Sequence, residues 1–247
     1  MTIGQKNLDI NGITWHCLSV FYARKNNADL LNAINNFHET YKNDLMHLSF
    51  YFSDTQGERI NIVLILKKNN SESIITCIEQ YFEQFLKEKP SENMYPIPYG
   101  SVLWLPYPNN SMVWNAFSIP YFLFKSQDNR DFARATSCLI ANLYDEECSF
   151  EENTITIAMF LFVKLCKQQD MAFSELTDSE TAKTLQTYWD YEEESLLIEW
   201  MKYPHFNTAI SIIYTQLDVS MENLNYYLPN LLYKQTGNYT PLGDFTQ

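Results

Sequence analysis

Glycine is scarce in this chain, and proline is scarce outside one stretch. Six glycines and nine prolines occur among 247 residues, which excludes a collagen-like, low-complexity or short-stranded all-β protein. Apolar residues make up 46% of the chain and aromatic residues 15%, which excludes a disordered chain. We therefore expect long helices and a few strands around one large core or two small ones.

Basic residues are also few. The chain has 17 lysines and arginines against 30 acidic residues, a formal net charge of −13. This charge repels phosphate backbones, so we expect no nucleic-acid partner. It would attract a cationic peptide or a basic protein, although acidity is also the ordinary composition of a cytosolic protein.

Targeting, membrane and metal-binding patterns are missing. The first residues lack a basic region followed by an apolar run, as a secretory signal would have, and the densest apolar stretch, Ile155–Cys166, is too short to span a membrane. The five cysteines are odd in number and widely spaced, as reduced core thiols are, and no CxxC or HExxH pattern occurs. We expect a cytoplasmic protein with no membrane partner, no metal site and no cofactor.

No self-contained catalytic motif is present. The nucleotide-binding patterns GxGxxG and GxxxxGK[ST] and the nucleophile elbow GxSxG do not occur. Ser137 falls in the middle of a predicted helix, where a core or helix-surface role is favoured over a nucleophile. His47 and His205 have no evident carboxylate partner in the sequence.

The N-terminal half shows the order β-α-β-β-α. Alternating and aromatic-rich runs predict strands, and apolar residues three and four apart predict helices. Gly57 lies in a polar connector, where a positive φ would close a hairpin. The predicted elements are a strand at Thr14–Ala23, a helix at Asp29–Lys42, hairpin strands at Leu48–Phe52 and Arg59–Leu66, and a helix at Ser71–Lys87 capped by Ser71 or Ser73.

Most of the prolines fall between Lys89 and Pro120, a stretch of loops with one predicted strand at Ser101–Leu105. Helical patterns follow, and Ser149 with Glu152 forms a capping-box signal. The predicted helices are Asp128–Tyr144, Ser149–Gln169, Ser174–Tyr191, Glu194–Lys202, Asn207–Gln216 and Met221–Tyr233. We expect an α+β fold with a mixed or antiparallel N-terminal sheet and flanking helices. It would form one domain over 1–247, sheet-rich over 1–125 and helical over 126–247.

Arg130 and Arg134 are four residues apart at the start of a predicted helix, so they would share one face. Such a pair can bind a carboxylate or a phosphate. Ordinary pairing with nearby acids along the helix is the favoured alternative.

Three segments resemble the C-terminal elimination domain of lantibiotic dehydratases and the stand-alone thiopeptide-type bacteriocin biosynthesis proteins. The hairpin, with Ser53, Asp54 and Gly57 in its turn, is similar to the family's arginine-bearing hairpin. Phe132 to Ser137 looks like the family's Phe-x-x-x-Ser helix start, and Asn230 to Asn238 resembles its C-terminal signature. The resemblance would extend over nearly the whole chain.

Members of this family remove glutamate from glutamylated Ser or Thr residues of a precursor peptide, so the resemblance implies this elimination as a candidate reaction. That reaction needs a base and cationic side chains. The family's hairpin arginines are matched here by Tyr51, Asn61 and Val63, and its histidine by Tyr233 or Lys234. Unless arginines elsewhere substitute, the resemblance implies a member that does not eliminate glutamate.

We therefore expect a maturation protein for ribosomal peptide natural products that binds a precursor peptide beside a partner modification enzyme. One alternative is an active lyase or cyclase on a glutamylated or dehydrated precursor, as the family's pyridine synthases imply. Another is an unrelated protein-interaction domain. Catalytic residues are not assigned, and the candidate peptide-binding residues are Tyr51, Arg59, Asn61, Arg130, Arg134, Tyr233 and Lys234.

Overall fold

The computed structural model describes residues 9–10, 12–92, 107–120, 124–168 and 206–219. Strands and helices alternate through the first half, and helices follow. The strands are β1 Asp9–Ile10, β2 Ile13–Phe21, β3 His47–Ser53, β4 Arg59–Lys67 and β5 Ser111–Trp114. The helices are α1 Asn27–Tyr41, α2 Ser71–Glu88, α3 Gln127–Leu143, α4 Phe150–Gln168 and α5 Phe206–Leu217, with a short 3-10 turn at Arg24–Asn26.

The sheet is antiparallel, and β4 lies at its centre between β2 and β3. Since β4 pairs with β2 from Ile13 to Phe21, β1 and β5 lie one after the other along the opposite edge of β2. The described residues therefore confirm the α+β class, and the sheet is antiparallel rather than mixed.

Helices α1 and α2 pack together against one face of this sheet. Phe37 of α1 lies 5.2 Å from the ring of Tyr81 and 5.9 Å from that of Phe82, both on α2. The Trp114 indole on the same side of the sheet donates to Glu79 of α2. The amphipathic spacing of both helices thus places their apolar sides on the sheet.

Helices α3 and α5 cover the outer edge of β3. The Phe50 N–H donates to Ser137 Oγ on α3 at 3.0 Å, and Gln216 Nε2 on α5 donates to the Phe50 carbonyl at 3.0 Å. The same Nε2 lies 2.9 Å from the Ala133 carbonyl and 2.7 Å from Ser137 Oγ. Backbone groups that an edge strand would expose are therefore bonded to helix side chains, and Ser137 has the core role that its sequence position favours.

Arg24 ties the hairpin turn to two helices. Its Nη2 lies 3.0 Å from Asp218, just after α5, and 3.7 Å from Asp54 in the β3–β4 turn. Its guanidinium carbon lies 4.0 Å above the Phe150 ring at the start of α4. One half-buried cation thus joins sheet and helices.

Local signals in the sequence have mixed outcomes. Gly57 adopts a φ of +127°, and Ser149 and Glu152 form the reciprocal capping box, with bonds of 2.8 and 3.2 Å; both predictions are confirmed. The predicted cap of α2 is wrong. Asn70 precedes the helix, and Ser71 is its first residue, with Oγ donating to the Lys68 carbonyl instead.

The predicted elements up to Lys87 and three of the predicted helices after Lys125, Asp128–Tyr144, Ser149–Gln169 and Asn207–Gln216, are confirmed, with ends shifted by at most a few residues. Strands β1 and β5 were not predicted. The predicted strand at Ser101–Leu105 and the predicted helices at Ser174–Tyr191, Glu194–Lys202 and Met221–Tyr233 lie outside the described residues.

Candidate functional site

The pairing register gathers polar side chains on the face of the sheet opposite α1 and α2. Tyr51 lies directly across from Asn61, and Asn61 directly across from Ser19. Arg59 precedes Asn61 by two residues on β4, and Cys17 precedes Ser19 by two residues on β2. Because side chains alternate along a strand, Arg59 and Cys17 point to this same face. We call these five residues, Cys17, Ser19, Tyr51, Arg59 and Asn61, the polar sheet face.

Asn61 is at the centre of a short hydrogen-bond network on this face. Its Oδ1 accepts from Ser19 Oγ at 2.6 Å and from Arg59 Nε at 3.0 Å. Its Nδ2 has no hydrogen-bond partner among the described residues, although Asn61 is fully buried. A buried donor left unbonded costs about 1 to 3 kcal/mol, and this amide is suited to donate to a carbonyl or carboxylate oxygen.

Arg59 is a buried cation. Its Nη1 donates to the carbonyls of Thr55 and Gly57 in the hairpin turn, and its guanidinium carbon lies 3.6 Å above the Phe117 ring. Among the described residues no carboxylate lies within ion-pair distance of it. Burial lowers its pKa, but a guanidinium stays charged in proteins, so its charge is stabilised by carbonyl groups and an aromatic ring.

Tyr51 and Cys17 are protonated donors in this setting. The Tyr51 hydroxyl donates to the Ser118 carbonyl at 3.1 Å, and burial raises its pKa. Burial also raises the pKa of the Cys17 thiol to about 11, so neither group is an anionic base or nucleophile at neutral pH.

Cys148, by contrast, is exposed, against the expectation that the cysteines are mostly core thiols.

The Tyr107 and Phe117 rings, which flank β5 in the sequence, lie over one end of this face. The Tyr107 ring stacks on Phe21 at 4.8 Å, and Phe117 lies 6.1 Å from Phe21. The Tyr107 N–H donates to the Gln56 carbonyl at 3.0 Å. This part of the proline-rich stretch is therefore a cover for the polar sheet face.

Arg130 and Arg134 lie elsewhere. The charges of both arginines help to lower the pKa of His47, the first residue of β3. Arg59, in contrast, pairs with Ser53, the last residue of β3. Six residues of strand separate these ends, roughly 20 Å. Arg130 bonds the Phe124 and Lys125 carbonyls and Gln127 Oε1. The structure thus does not bring these two arginines to Arg59.

His47 is buried and neutral. Its Nε2 lies 2.8 Å from Ser49 Oγ, and burial lowers its pKa to about 3, with the charges of Arg130, Arg134 and His38 acting in the same direction. An imidazole with so low a pKa is a poor general base at neutral pH.

Tyr233, Lys234 and His205 lie outside the described residues. Val63, which the sequence resemblance matches to an arginine of the dehydratase proteins, is fully buried between Cys17 and Ser49 on the same face. Sequence reasoning missed Ser19 and Cys17. The alternation in the β2 segment places both on one side, but only the pairing with β4 shows that this side faces Asn61.

Neither a metal centre nor a membrane span is found in the described part of the chain. No group of three His, Cys, Asp or Glu side chains there could hold a metal ion. None of the described helices has the length and apolar character needed to cross a membrane. On the polar sheet face the Tyr51 hydroxyl and the Arg59 guanidinium already donate to protein carbonyls, and the buried Asn61 Nδ2 is a donor with no bonded acceptor among the described residues.

Comparison with known proteins reveals likeness in fold rather than in sequence. No protein-family model matches the chain. No curated protein matches it either. Among solved structures, the chain is similar to the pyridine synthase TbtD from thiomuracin biosynthesis, with a TM-score of 0.55 and 13% identity over 84% of this chain and 93% of that chain. At this identity the likeness shows a shared fold.

Proposed function

We propose that this chain binds a precursor peptide during maturation of a ribosomally synthesised and modified peptide, and that it does not eliminate glutamate. The observation that carries the proposal is the fold shared with a pyridine synthase of thiomuracin biosynthesis over most of both chains. A partner modification enzyme would then act on the bound peptide. The net charge of −13 favours a cationic segment of that peptide.

The contacts on the polar sheet face argue against glutamate elimination. The reaction needs a base for the α-proton and cations for the leaving carboxylate. Arg59 is the one arginine that the described strands place on this face, and its donors bond turn carbonyls and Asn61. Tyr51 offers a neutral donor, and Val63 offers none.

Binding and mass spectrometry together test the proposal. Short peptides encoded beside the gene are labelled with fluorescein, titrated with the chain in an anisotropy assay, and incubated with it before mass measurement. We expect saturable binding of one peptide with no change in its mass, and restored modification when the partner enzyme is added. Absence of binding by every such peptide would contradict the proposal.

A second candidate, a cyclase acting on dehydrated peptides, is favoured by the buried Asn61 Nδ2, which has no hydrogen-bond partner in the described part of the chain. A cycloaddition needs two reacting segments held in place, and a neutral donor can orient a peptide carbonyl. Incubation with a dehydrated precursor should then change its mass. Asn61→Leu should abolish this change while Gln80→Leu, on the exposed side of α2, leaves it intact.

A further inference from the structure

Strand β5 has one edge to which no described strand is bonded. The Asn115 N–H donates to the Cys17 carbonyl. Backbone groups alternate in direction along a strand, so those of Cys17, Ser19 and Phe21 on β2 point to β5. Met112 and Trp114 lie opposite the alternate residues, Val20 and Leu18. The backbone N–H and C=O groups of Met112 and Trp114 therefore point away from β2. In the described ranges β5 pairs with β2 alone.

This edge borders a cavity of about 610 Å³ between β5 and α2, which we call the α2–β5 groove. Glu79, Glu83 and Lys87 line it from α2, one turn apart, and Met112 and Trp114 line it from β5. The Trp114 indole is fixed in place, since its Nε1 donates to Glu79 Oε1 at 2.8 Å and its ring lies edge-on to His16 at 6.1 Å.

Two asparagines limit the groove along the strand. Asn110 and Asn115 have φ values of +58° and +52°, so the extended backbone ends at both. The open edge is therefore the four residues of β5, about 13 Å long. An added strand would bond Met112 and Trp114 and would lie about 4.8 Å from β5.

We propose that an extended, cationic segment of the precursor peptide binds in the α2–β5 groove as an additional strand on β5. This rests on the proposed function. Backbone bonds to Met112 and Trp114 would supply the pairing, as in other cases of strand addition. Alternate side chains of the added strand would face α2, where two acids against one lysine favour a basic residue beside Glu79 and Glu83.

The first experiment uses a fluorescein-labelled ten-residue peptide of alternating valine and lysine, with a valine–glutamate twin as the charge control. Anisotropy is measured on the full chain at low and high salt. We expect saturable binding of the lysine peptide, weakened by salt because the contact is exposed, and none of the glutamate twin. Equal binding of both peptides would contradict the acidic contact.

Two variants locate the contact. Glu83→Lys reverses a groove charge and should weaken binding about fivefold or more. Its control, Glu88→Lys, makes the same charge change on the same helix outside the groove and should bind as the wild type does. Met112→Pro removes an N–H that faces the open edge without removing a bond to β2, and should weaken binding about fivefold.

Thermal unfolding shows that each variant is folded before binding is compared. If the peptide of the gene neighbourhood binds the wild type and both groove variants equally, the groove proposal is wrong and the proposed function stands. If no such peptide binds but the lysine probe binds and is lost in both variants, the groove accepts a cationic strand from another source, and both the proposed function and the precursor peptide as its occupant are wrong. A concentration-dependent dimer that Met112→Pro abolishes, without probe binding, would assign the edge to a second copy and overturn the proposal.

Discussion

His47 is a titratable side chain whose pKa is lowered by burial in the folded protein. It is 3% exposed, and burial with the charges of three neighbours, Arg130 and Arg134 on α3 and His38 on α1, keeps it neutral. In the unfolded chain the same imidazole titrates near 6.5. Between these pKa values the unfolded chain binds a proton that the folded protein does not, so the free energy of unfolding falls as pH falls through that window.

Replacing His47 should remove this acid sensitivity. In His47→Gln the loss of unfolding free energy between about pH 6.5 and pH 5 should be smaller than in the wild type by about 2 kcal/mol, since each pKa unit corresponds to about 1.4 kcal/mol. Urea unfolding at both pH values measures it. His38→Gln, at a less buried histidine on α1, is the control and should change the loss less; equal losses in wild type and His47→Gln would contradict the assignment.

Gly57 can be tested against a second glycine. Its φ of +127° is disfavoured for other residues, and an added Cβ would lie 3.1 Å from Phe21 Cδ1. Gly57→Ala should therefore lower the free energy of unfolding by about 1 to 3 kcal/mol. Gly12 also has a positive φ, +78°, but a Cβ there meets nothing within 4 Å; Gly12→Ala should cost less, and a reversed order would contradict the role of the Phe21 contact.

At this scale the sequence predicts part of the site. Alternation along the hairpin predicts that Arg59 and Asn61 share a side, and the structure places Tyr51 opposite Asn61. The sequence does not predict that the side with Arg59 and Tyr51 is buried. Phe117 contacts Arg59 and Ser118 contacts Tyr51, and both lie more than fifty residues further along the chain.

Among the elements, β3 depends on helices that are distant in sequence. Gln216 reaches Phe50 across 166 residues and is fully buried, so its loss would leave the Phe50 and Ala133 carbonyls without this donor. We expect Gln216→Leu to lower the free energy of unfolding by about 2 to 4 kcal/mol. The midpoint of thermal unfolding should drop accordingly.

A matched glutamine serves as the control for this prediction. Gln80 is exposed on α2, and Gln80→Leu should change the free energy of unfolding by less than about 0.5 kcal/mol. Ser137→Ala removes the acceptor of the Phe50 N–H and should destabilise the protein too. Equal stability of Gln216→Leu and Gln80→Leu would show that the edge of β3 does not depend on these bonds.

Elements with a local pattern are predicted well, and elements made by distant pairing are not. The hairpin and α1 to α4 have clear periodicity over seven or more residues. Strand β5 has four half-buried residues and pairs with β2, ninety or more residues earlier. No alternation of that length distinguishes a strand from a loop.

For the molecule as a whole, Asp218 links the last described helix to the hairpin turn through Arg24. Burial and the nearby Asp54 raise its pKa to about 6, although Arg24 and Arg59 act in the opposite direction. The ordinary value is 3.8, so in this window the folded protein holds a proton that the unfolded chain has lost. The free energy of unfolding therefore falls as pH rises from about 4 to about 6, the reverse of the His47 effect.

Asp218→Asn should remove that dependence. The free energy of unfolding of the variant, minus that of the wild type, should rise as pH rises from about 4 to about 6. The effect is expected to be modest because 36% of the side chain is exposed. Denaturant titrations across this range measure it, with Asp44→Asn, in the exposed loop before β3, as the charge-matched control; a flat difference would contradict the raised pKa.

The bonds that cover Phe50 also have a consequence for biosynthesis. Strands β2, β3 and β4 and helices α1 and α2 are complete once residue 88 has left the ribosome, but Gln216 follows Phe50 by 166 residues. At about 5 to 20 residues per second, the nascent sheet exposes the backbone of β3 for roughly six to twenty-five seconds. During that interval a chaperone or a neighbouring nascent chain can pair with the strand, so slow translation should lower the yield of correctly folded protein.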